Sequence, residues 1–256
     1  MNISLPRSSL HIAAKLSDER VYLEFSLRVF YCGGIFLDIS ERRMEKLRSE
    51  VLACRFFTWS FCVMLVKKTR ERWKKEKDAL MSGHRLICPK VRCTHLESPN
   101  AGSRACGPYF KVDECAIPEK LLHGPWTAEK VLFLRCLTDH NALIDWNDTS
   151  AGEVATQGLI DAIRENAHQA AELLTDEDYG VSPTTEMVRL AVLECGCDRK
   201  MVKLLLSTIP RYERTINYHD KQLWAWAERA EKQGDSTGKW LRQMLVTCDP
   251  GDNPSG

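Results

Sequence analysis

Apolar residues in the stretch 156–206 recur at the spacing of amphipathic helices, and the whole pattern occurs twice. Each copy has two short apolar faces separated by a polar or glycine-containing break. The faces of the first copy are formed by Leu159, Ile160, Ala162 and Ile163, then by Ala170, Ala171, Leu173 and Leu174. Those of the second copy are formed by Met187, Leu190, Ala191 and Val192, then by Met201, Val202, Leu204, Leu205 and Leu206. The pattern predicts two successive helix–turn–helix units.

Further helices are predicted on both sides of this stretch. They cover residues 119–123 and 128–137 before it, and residues 222–232 and 237–245 after it. The equivalent residues Ala162 and Ala191 are 29 positions apart, close to the roughly 33-residue period of some helix-pair repeats. Short helices cannot bury an apolar face alone, so neighbouring pairs must stack. We therefore predict an all-α fold, in which residues 118–248 form a short solenoid of stacked antiparallel helix pairs.

The first half of the chain has a different pattern, an apolar segment followed at once by a basic run. Residues 51–66 are apolar at 13 of 16 positions, and residues 67–77 contain seven basic side chains. The apolar segment is shorter than the roughly 20 residues that cross a bilayer, and it contains Arg55. We expect a buried helix that leads into a solvated charged helix, with a membrane contact through residues 51–66 as the alternative. The basic run also suits a nuclear-import or nucleic-acid patch.

Opposite charges dominate the two halves of the 256-residue chain, although the net charge is only +1. Residues 1–125 carry 22 Lys and Arg against 14 Asp and Glu, whereas residues 126–256 carry 14 against 21. Such asymmetry predicts two parts that dock on each other or meet different partners. The 11 cysteines, together with a start that lacks a signal-peptide core, indicate a reducing compartment. We expect a cytoplasmic or nuclear protein.

Cysteine and histidine residues are concentrated in the segment 84–115. A structural zinc site needs four ligands around a tetrahedral centre, and no pair here has the C-x2-C spacing. The candidate ligands are His84, Cys88, Cys93, His95, Cys106 and Cys115. Free thiols in an irregular linker fit their spacing better. We predict no metal and no cofactor.

Turn-forming residues between positions 98 and 108 mark a domain boundary. We predict four regions. They are a basic helical or partly disordered N-terminal region, 1–96; a linker, 97–117; the helical repeat domain, 118–248; and a disordered tail, 249–256. The N-terminal region is expected to be less regular than the repeats because no sustained periodicity runs through it.

The segments DAIRENAHQAAELL and LAVLECGCDRKMVKLL, within residues 156–206, resemble the two-helix core of an ankyrin repeat. Six residues separate Ala162-Ile163 from Ala170-Ala171, the spacing found between the paired alanines of that family. Near the start of the chain, SSLHIAA is similar to the T-P-L-H-x-A-A opening of a repeat. The sequence also departs from the family: Asn166 stands at the inter-helical glycine, and the second copy has eight residues between its helices.

Motifs that would identify an enzyme are absent from the sequence, including G-x-S-x-G, G-x-x-x-x-G-K-[ST], G-x-G-x-x-G and H-E-x-x-H. A Cys–His nucleophile formed by Cys195 or Cys197 with His219 is the one loose candidate. Structural thiols are much more common than catalytic ones. We therefore predict a non-enzymatic protein without catalytic residues or a small-molecule substrate.

The ankyrin resemblance implies a protein–protein interaction module, a scaffold or adaptor such as a substrate-recruiting subunit of a ubiquitin-ligase-type complex. It implies binding through the loops between repeats, here residues 175–184 and 207–220. Aromatic and arginine side chains make the best anchors in such surfaces. The predicted contacts are Tyr179, Arg211, Tyr212, Arg214, Tyr218 and His219. The alternatives are a membrane-tethered adaptor using residues 51–66 and a zinc- or nucleic-acid-binding regulator using residues 67–95, although nucleic acid is the less favoured partner.

Overall fold

The computed structural model describes residues 19–31, 40–81, 110–146, 150–175, 180–208 and 215–249. Within these ranges the chain has ten α-helices and no β-strand. The predicted all-helical class is therefore confirmed, as is the packing of helices in pairs. Backbone contacts divide the chain into two compact units, which we describe separately: residues 1–118 with 135–143, and residues 119–134 with 144–256.

In the first unit, helix α1 (Glu19–Phe30) packs against α2 (Glu41–Ala53) and α3 (Trp59–Met81). Aromatic side chains fill the space between them. The ring of Phe30, which is fully buried, lies 5.4 Å from the ring of Phe57 and 5.2 Å from that of Phe110. Aromatic pairs at these distances stabilise a core beyond the area they bury.

The apolar segment 51–66 is split between two helices, so the prediction of a single buried helix there is wrong. Helix α2 ends at Ala53, a turn follows in which Phe57 N donates to Cys54 O (3.1 Å), and α3 begins at Trp59. The segment's apolar side chains are instead used in the core, where Val51, Leu52, Phe57, Cys62 and Leu65 are buried. Across the described ranges, none of the helices has the length and apolar character needed to cross a bilayer.

The end of the predicted linker belongs to the first unit. Residues 97–109 lie outside the described ranges, but the side chains of Phe110, Val112, Cys115 and Ile117 are buried. The backbone is held as well, since Ala116 N donates to Ser49 Oγ (2.9 Å). Residues 110–117 are thus packed against residues of helices that precede them by 67 to 81 positions.

The second unit contains most of the helices predicted for residues 118–248. Its elements are a 3₁₀ turn (Glu119–Leu121), the first residues of α4 (Ala128–Thr138), α5 (Ala151–Arg164), α6 (His168–Leu174), α7 (Thr185–Arg189) with a π-helical continuation (Leu190–Glu194), α8 (Arg199–Ser207), α9 (Lys221–Lys232) and α10 (Ser236–Cys248). The 128–137, 222–232 and 237–245 helices predicted from the sequence are present, with small differences at their ends.

Helices α5 to α10 form three pairs: α5 with α6, α7 and its π-helical continuation with α8, and α9 with α10. The second helix of the middle pair, α8, contacts the second helices of both neighbouring pairs, α6 and α10. The π-helical residues of the middle pair likewise contact the first helices of the neighbouring pairs, α5 and α9. The apolar residues predicted for these helices supply the core, including Leu159, Ile163, Leu174, Met201 and Leu205, which are fully buried.

Each pair turns through a residue with positive φ just before its second helix. Asn166 has φ 54° and Gly234 has φ 78°. In both turns the next backbone N–H donates to the carbonyl of a buried alanine, Ala162 (2.8 Å) or Ala230 (2.9 Å), which caps the end of the first helix. Asparagine is among the few residues other than glycine that adopt this conformation readily, so Asn166 can replace the inter-helical glycine of the ankyrin pattern.

The middle pair accommodates its two additional inter-helical residues in two ways. Its first helix ends in a π-helical turn, in which Cys195 N donates to Leu190 O (3.0 Å), and such a turn takes up one residue. The turn that follows has positive φ at both Gly196 (78°) and Cys197 (54°). The longer spacing noted in the sequence is therefore absorbed locally, and α7 and α8 still pack as a pair.

Candidate interaction surface

The two segments predicted to bind a partner, residues 175–184 and 207–220, connect the three helix pairs. Tyr179, Arg211, Tyr212 and Arg214 lie outside the described residues. Of the six predicted contact residues, the structure places Tyr218 and His219. The described parts of both segments show how the segments are anchored.

The C-terminal ends of the two segments lie side by side. Thr215 Oγ1 donates to Pro183 O, and Thr185 N donates to Thr215 O (3.3 Å). Asn217 N donates to Thr185 Oγ1 (2.8 Å). These bonds join residues that are 32 or 30 positions apart and that lie at or just before the starts of the first helices of consecutive pairs. The C-terminal ends of the two connecting segments therefore share one base.

An ion pair next to these bonds also connects the first helices of the last two pairs. Arg189, at the end of α7, pairs through Nη2 with Asp220 Oδ2 (2.5 Å) and through Nη1 with Glu186 (2.6 Å). Asp220 is buried and accepts hydrogen bonds from Gln222 N and Leu223 N, so it also caps α9. The bond from Arg189 and those from the helix backbone lower the pKa of Asp220, because they favour its ionised form.

Tyr218 and His219 differ in what they present to solvent. Tyr218 is half-buried, its hydroxyl donates to Leu206 O (3.3 Å), and its carbonyl accepts from Trp224 Nε1 (2.9 Å). His219 has a side chain that is 77% exposed, with Nε2 3.0 Å from Asp249 Oδ2. Tyr218 thus holds the segment against the helices, while His219 is displayed at the surface.

A second set of bonds links the starts of the second helices. His168, the first residue of α6, lies with Nε2 2.6 Å from Asp198 Oδ1, and Asp198 caps α8 through the N–H groups of Lys200 and Met201. Arg199 then reaches α10, where Nη2 donates to Ser236 Oγ (2.8 Å). The histidine therefore connects neighbouring helix pairs. The N-cap aspartate was not singled out from the sequence, although D-R-K before an apolar run is a recognisable cap signal.

We expect Asp198→Ala to lower the free energy of unfolding of the second unit by about 1 kcal/mol at pH 7, the usual effect of losing a helix cap. Asp198→Asn keeps a capping oxygen, so its effect should be smaller. Hydrogen bonding, chiefly with His168, lowers the pKa of Asp198 below 3.8. The stabilisation by its charge is therefore present above pH 4 and lost as the pH falls through the folded-state pKa.

The measurement is denaturant unfolding of wild type and both variants at pH 7 and pH 3. The stability difference between wild type and Asp198→Asn should shrink at the lower pH. Glu172→Gln, on the exposed side of α6, serves as the control for loss of one negative charge. A difference that stays constant between the two pH values, or a control that behaves like Asp198→Asn, contradicts the assignment.

The thiols near this surface are poorly suited to catalysis. Burial raises the pKa of Cys197 to about 11 and also raises the pKa of Cys195. Both remain protonated at neutral pH, which disfavours the thiolate that a Cys–His nucleophile requires. His219, the predicted partner of such a pair, is next to Asp249.

Metal ligation is not indicated by the described residues, which contain no group of three or more His, Cys, Asp or Glu side chains arranged to hold an ion. Five of the six candidate ligands lie outside these residues, namely His84, Cys88, Cys93, His95 and Cys106. Cys115, the last cysteine of the same segment, is buried in the first unit, and burial raises its pKa to about 12.

Comparison of the chain with protein-family models, with curated proteins and with solved structures gave no match. The residues and contacts described above are therefore the basis of the proposed function.

Proposed function

We propose that residues 118–248 are an ankyrin-like stack of helix pairs whose function is to bind another protein. The observation that carries this proposal is a set of bonds that join consecutive helix pairs at similar sequence separations. His168–Asp198, Arg189–Asp220 and Thr185–Asn217 are separated by 30, 31 and 32 residues. Bonds at such similar separations support a repeated structural unit, as expected for a stack whose members contact their neighbours.

Element contacts support the same arrangement. First helices contact first helices, and second helices contact second helices, through the three pairs. A partner-binding stack needs this regularity because a rigid framework holds the variable loops in fixed positions. The ankyrin assignment itself is carried by the spacing of Ala162-Ile163 and Ala170-Ala171 in the first pair and remains the proposal's sequence-based part.

Charged side chains cover part of the exterior of the last helix pair, as expected of an end repeat, which must face water. Arg242 of α10 pairs with Glu231 of α9 (2.8 Å), and its guanidinium lies 5.7 Å from the centre of the Trp224 ring. Stacking on the ring covers part of an indole that is half-exposed. These contacts suit a terminal pair better than a pair awaiting another neighbour.

The connecting segments 175–184 and 207–220 are the proposed binding surface. The bonds between their C-terminal ends support a surface in which one partner engages both segments. Tyrosine and arginine dominate the predicted contacts, and such side chains bury a large area for few frozen torsions. We propose an adaptor or scaffold of the cytoplasm or nucleus; recruitment of a substrate to a ubiquitin-ligase-type complex is the role that the family resemblance suggests.

The proposal is tested by placing a photo-crosslinking amino acid at position 219 in the full chain, where the side chain is exposed, and at position 203 as a control. Lys203 lies on the exposed side of α8, outside both connecting segments. We expect cross-linking to a specific protein from position 219 and not from position 203. Excess unlabelled wild-type protein should compete with it.

The cross-linked protein is then purified and its affinity measured. Combined substitution of Arg211 and Tyr212 by alanine should weaken binding by about tenfold or more, because anchors of this kind contribute at least about 1.4 kcal/mol. Lys203→Ala should leave the affinity unchanged. Equal cross-linking from both positions, or affinity insensitive to Arg211 and Tyr212, would contradict the proposed surface.

A further inference from the structure

The solvent-facing side of α3 carries two rows of cations that the proposed binding function does not use. One row has the spacing i, i+3, i+7 and the other i, i+4, i+7, so each forms a line along the helix. The rows are Lys67, Arg70 and Lys74, and Lys68, Arg72 and Lys75, all exposed. At 3.6 residues per turn, the rows lie roughly 130° apart around the helix axis.

The opposite side of α3 packs against the rest of the first unit, to which the helix belongs. Leu65 and Thr69 are buried and Trp73 is half-buried, and these three residues form the i, i+4, i+8 line on that side. The helix has 23 residues, which corresponds to a length of roughly 35 Å. The two basic rows are therefore held outward on a supported helix.

Cations of both rows act on one carboxylate between them. Glu71 Oε2 is 3.1 Å from Lys68 Nζ, and this hydrogen bond is the main reason that the pKa of Glu71 is lowered. Lys67 of the first row and Lys75 of the second contribute in the same direction through their charges. The outward side of the helix thus has a positive field, which attracts anions.

We propose that α3 is a nucleic-acid-binding helix that enters the major groove of duplex DNA, with one basic row directed at each phosphate strand. The major groove is about 12 Å wide, and an α-helix with its side chains is about 10–12 Å across. Cations on two flanks of the helix can therefore contact both walls of the groove. The line between the rows, which contains Glu71, faces the base edges, where a carboxylate can accept from cytosine N4.

The distribution of charge favours DNA over the other polyanions. A helix that lies on a membrane surface needs an apolar stripe to bury between the headgroups. Phe61, Cys62 and Leu65 of α3 are instead buried in the protein, and Val63, which is 47% exposed, is one apolar side chain and not a stripe. Duplex RNA has a deep and narrow major groove that does not admit a helix. The proposal therefore predicts a preference for B-form DNA over A-form RNA.

The test measures binding of the full chain by fluorescence anisotropy to a DNA duplex of about 20 base pairs and to an RNA duplex of the same sequence, over a range of salt concentrations. Four to six phosphate contacts should give a slope of log affinity against log salt of about −4 to −5 on DNA. The RNA duplex should bind at least about tenfold more weakly.

Two double variants separate the rows, Lys67→Gln with Lys74→Gln and Lys68→Gln with Lys75→Gln. Lysines are chosen because Arg72 also lies over the ring of Tyr31 (5.5 Å). Each variant should reduce the magnitude of the salt slope by about 2. The control is Lys200→Gln with Lys203→Gln, which removes the same charge from exposed positions of α8 and should leave the slope unchanged.

Several outcomes overturn the proposal. No salt-sensitive binding to DNA at about 50 mM salt, where non-specific electrostatic binding is strong, excludes a DNA-binding helix. Equal affinity for the RNA duplex excludes insertion into the major groove. A slope altered equally by the α8 control excludes α3 as the site, and tighter binding to anionic phospholipid vesicles than to DNA assigns the basic rows to a membrane surface.

Discussion

Replacing Leu205 by alanine is expected to lower the free energy of unfolding of the second unit by about 2–5 kcal/mol, the range for large-to-small substitutions in packed cores. Leu205 is on α8, the second helix of the middle pair, and its side chain is fully buried. Alanine would leave a cavity in the helix that contacts both α6 and α10. Three stacked pairs have few contacts to spare, so weakening the middle pair should weaken its neighbours as well.

Leu204 provides the matched control for this substitution. It is adjacent in the same helix but half-exposed, so Leu204→Ala should cost less than half as much as Leu205→Ala. Hydrogen exchange measured by mass spectrometry can follow the second unit alone within the full chain. Amides of α5, α6, α9 and α10 should exchange faster in Leu205→Ala; if only α8 is affected, the helix pairs do not stabilise one another.

Gly158→Ala is expected to destabilise the protein by about 1–3 kcal/mol, although alanine is normally the better residue within a helix. Gly158 is inside α5, and a Cβ atom there would lie 1.8 Å from the carbonyl oxygen of Leu122. Trp126 Nε1 donates to the carbonyl of Gly158 itself (3.1 Å). The segment after the 3₁₀ turn therefore rests directly on the helix backbone, and a methyl group must push this segment away.

The sign of the effect decides between two explanations. Helix propensity alone predicts stabilisation by about 0.5–1 kcal/mol, whereas close packing predicts the opposite. Gly196→Ala is a useful comparison, because Gly196 has φ 78° and no atom within 4 Å of an added Cβ, so only backbone strain of about 1–2 kcal/mol applies. Denaturant unfolding followed by circular dichroism gives the free energy of unfolding of wild type, Gly158→Ala and Gly196→Ala. A neutral or stabilising Gly158→Ala would show that the 119–126 segment is not held against α5.

Sequence periodicity predicted the helices of the second unit because their apolar faces are regular and their turns are polar. The predicted and observed positions of α4, α9 and α10 agree closely. The turn at Asn166 was harder to interpret, since asparagine replaces the glycine of the ankyrin pattern. Its φ of 54° is positive, as is the φ of Gly234 in the corresponding turn of the last pair.

Sequence reasoning failed where local composition allowed two structures. Residues 51–66 are mostly apolar, and a short apolar run does not distinguish one helix from two helices joined by a turn. In the structure the ring of Phe57, which lies in the turn, packs 5.2 Å from that of Phe61 and 5.4 Å from that of Phe30. The contact with Phe30 joins residues 27 positions apart and leaves no local signal in the sequence.

The candidate surface was predicted only in outline. Its two segments could be recognised as loops rich in tyrosine and arginine. The contact between their C-terminal ends depends on bonds such as Thr215–Pro183 and Asn217–Thr185. Similarly, the basic run was visible in the sequence, whereas its division into two outward rows depends on which side of α3 is buried. Tyr218 was predicted from the sequence as a partner contact. In the structure its hydroxyl and its carbonyl are both hydrogen-bonded within the protein.

The sequence by itself determined that the described chain is helical and where most of its helices lie, because helix formation follows from the local spacing of apolar and capping residues. Tertiary structure decided how those helices are used. The bonds from His168 to Asp198 and from Arg189 to Asp220 join residues about thirty positions apart. Such contacts form only when neighbouring helices bury their apolar faces together, and no local pattern specifies them.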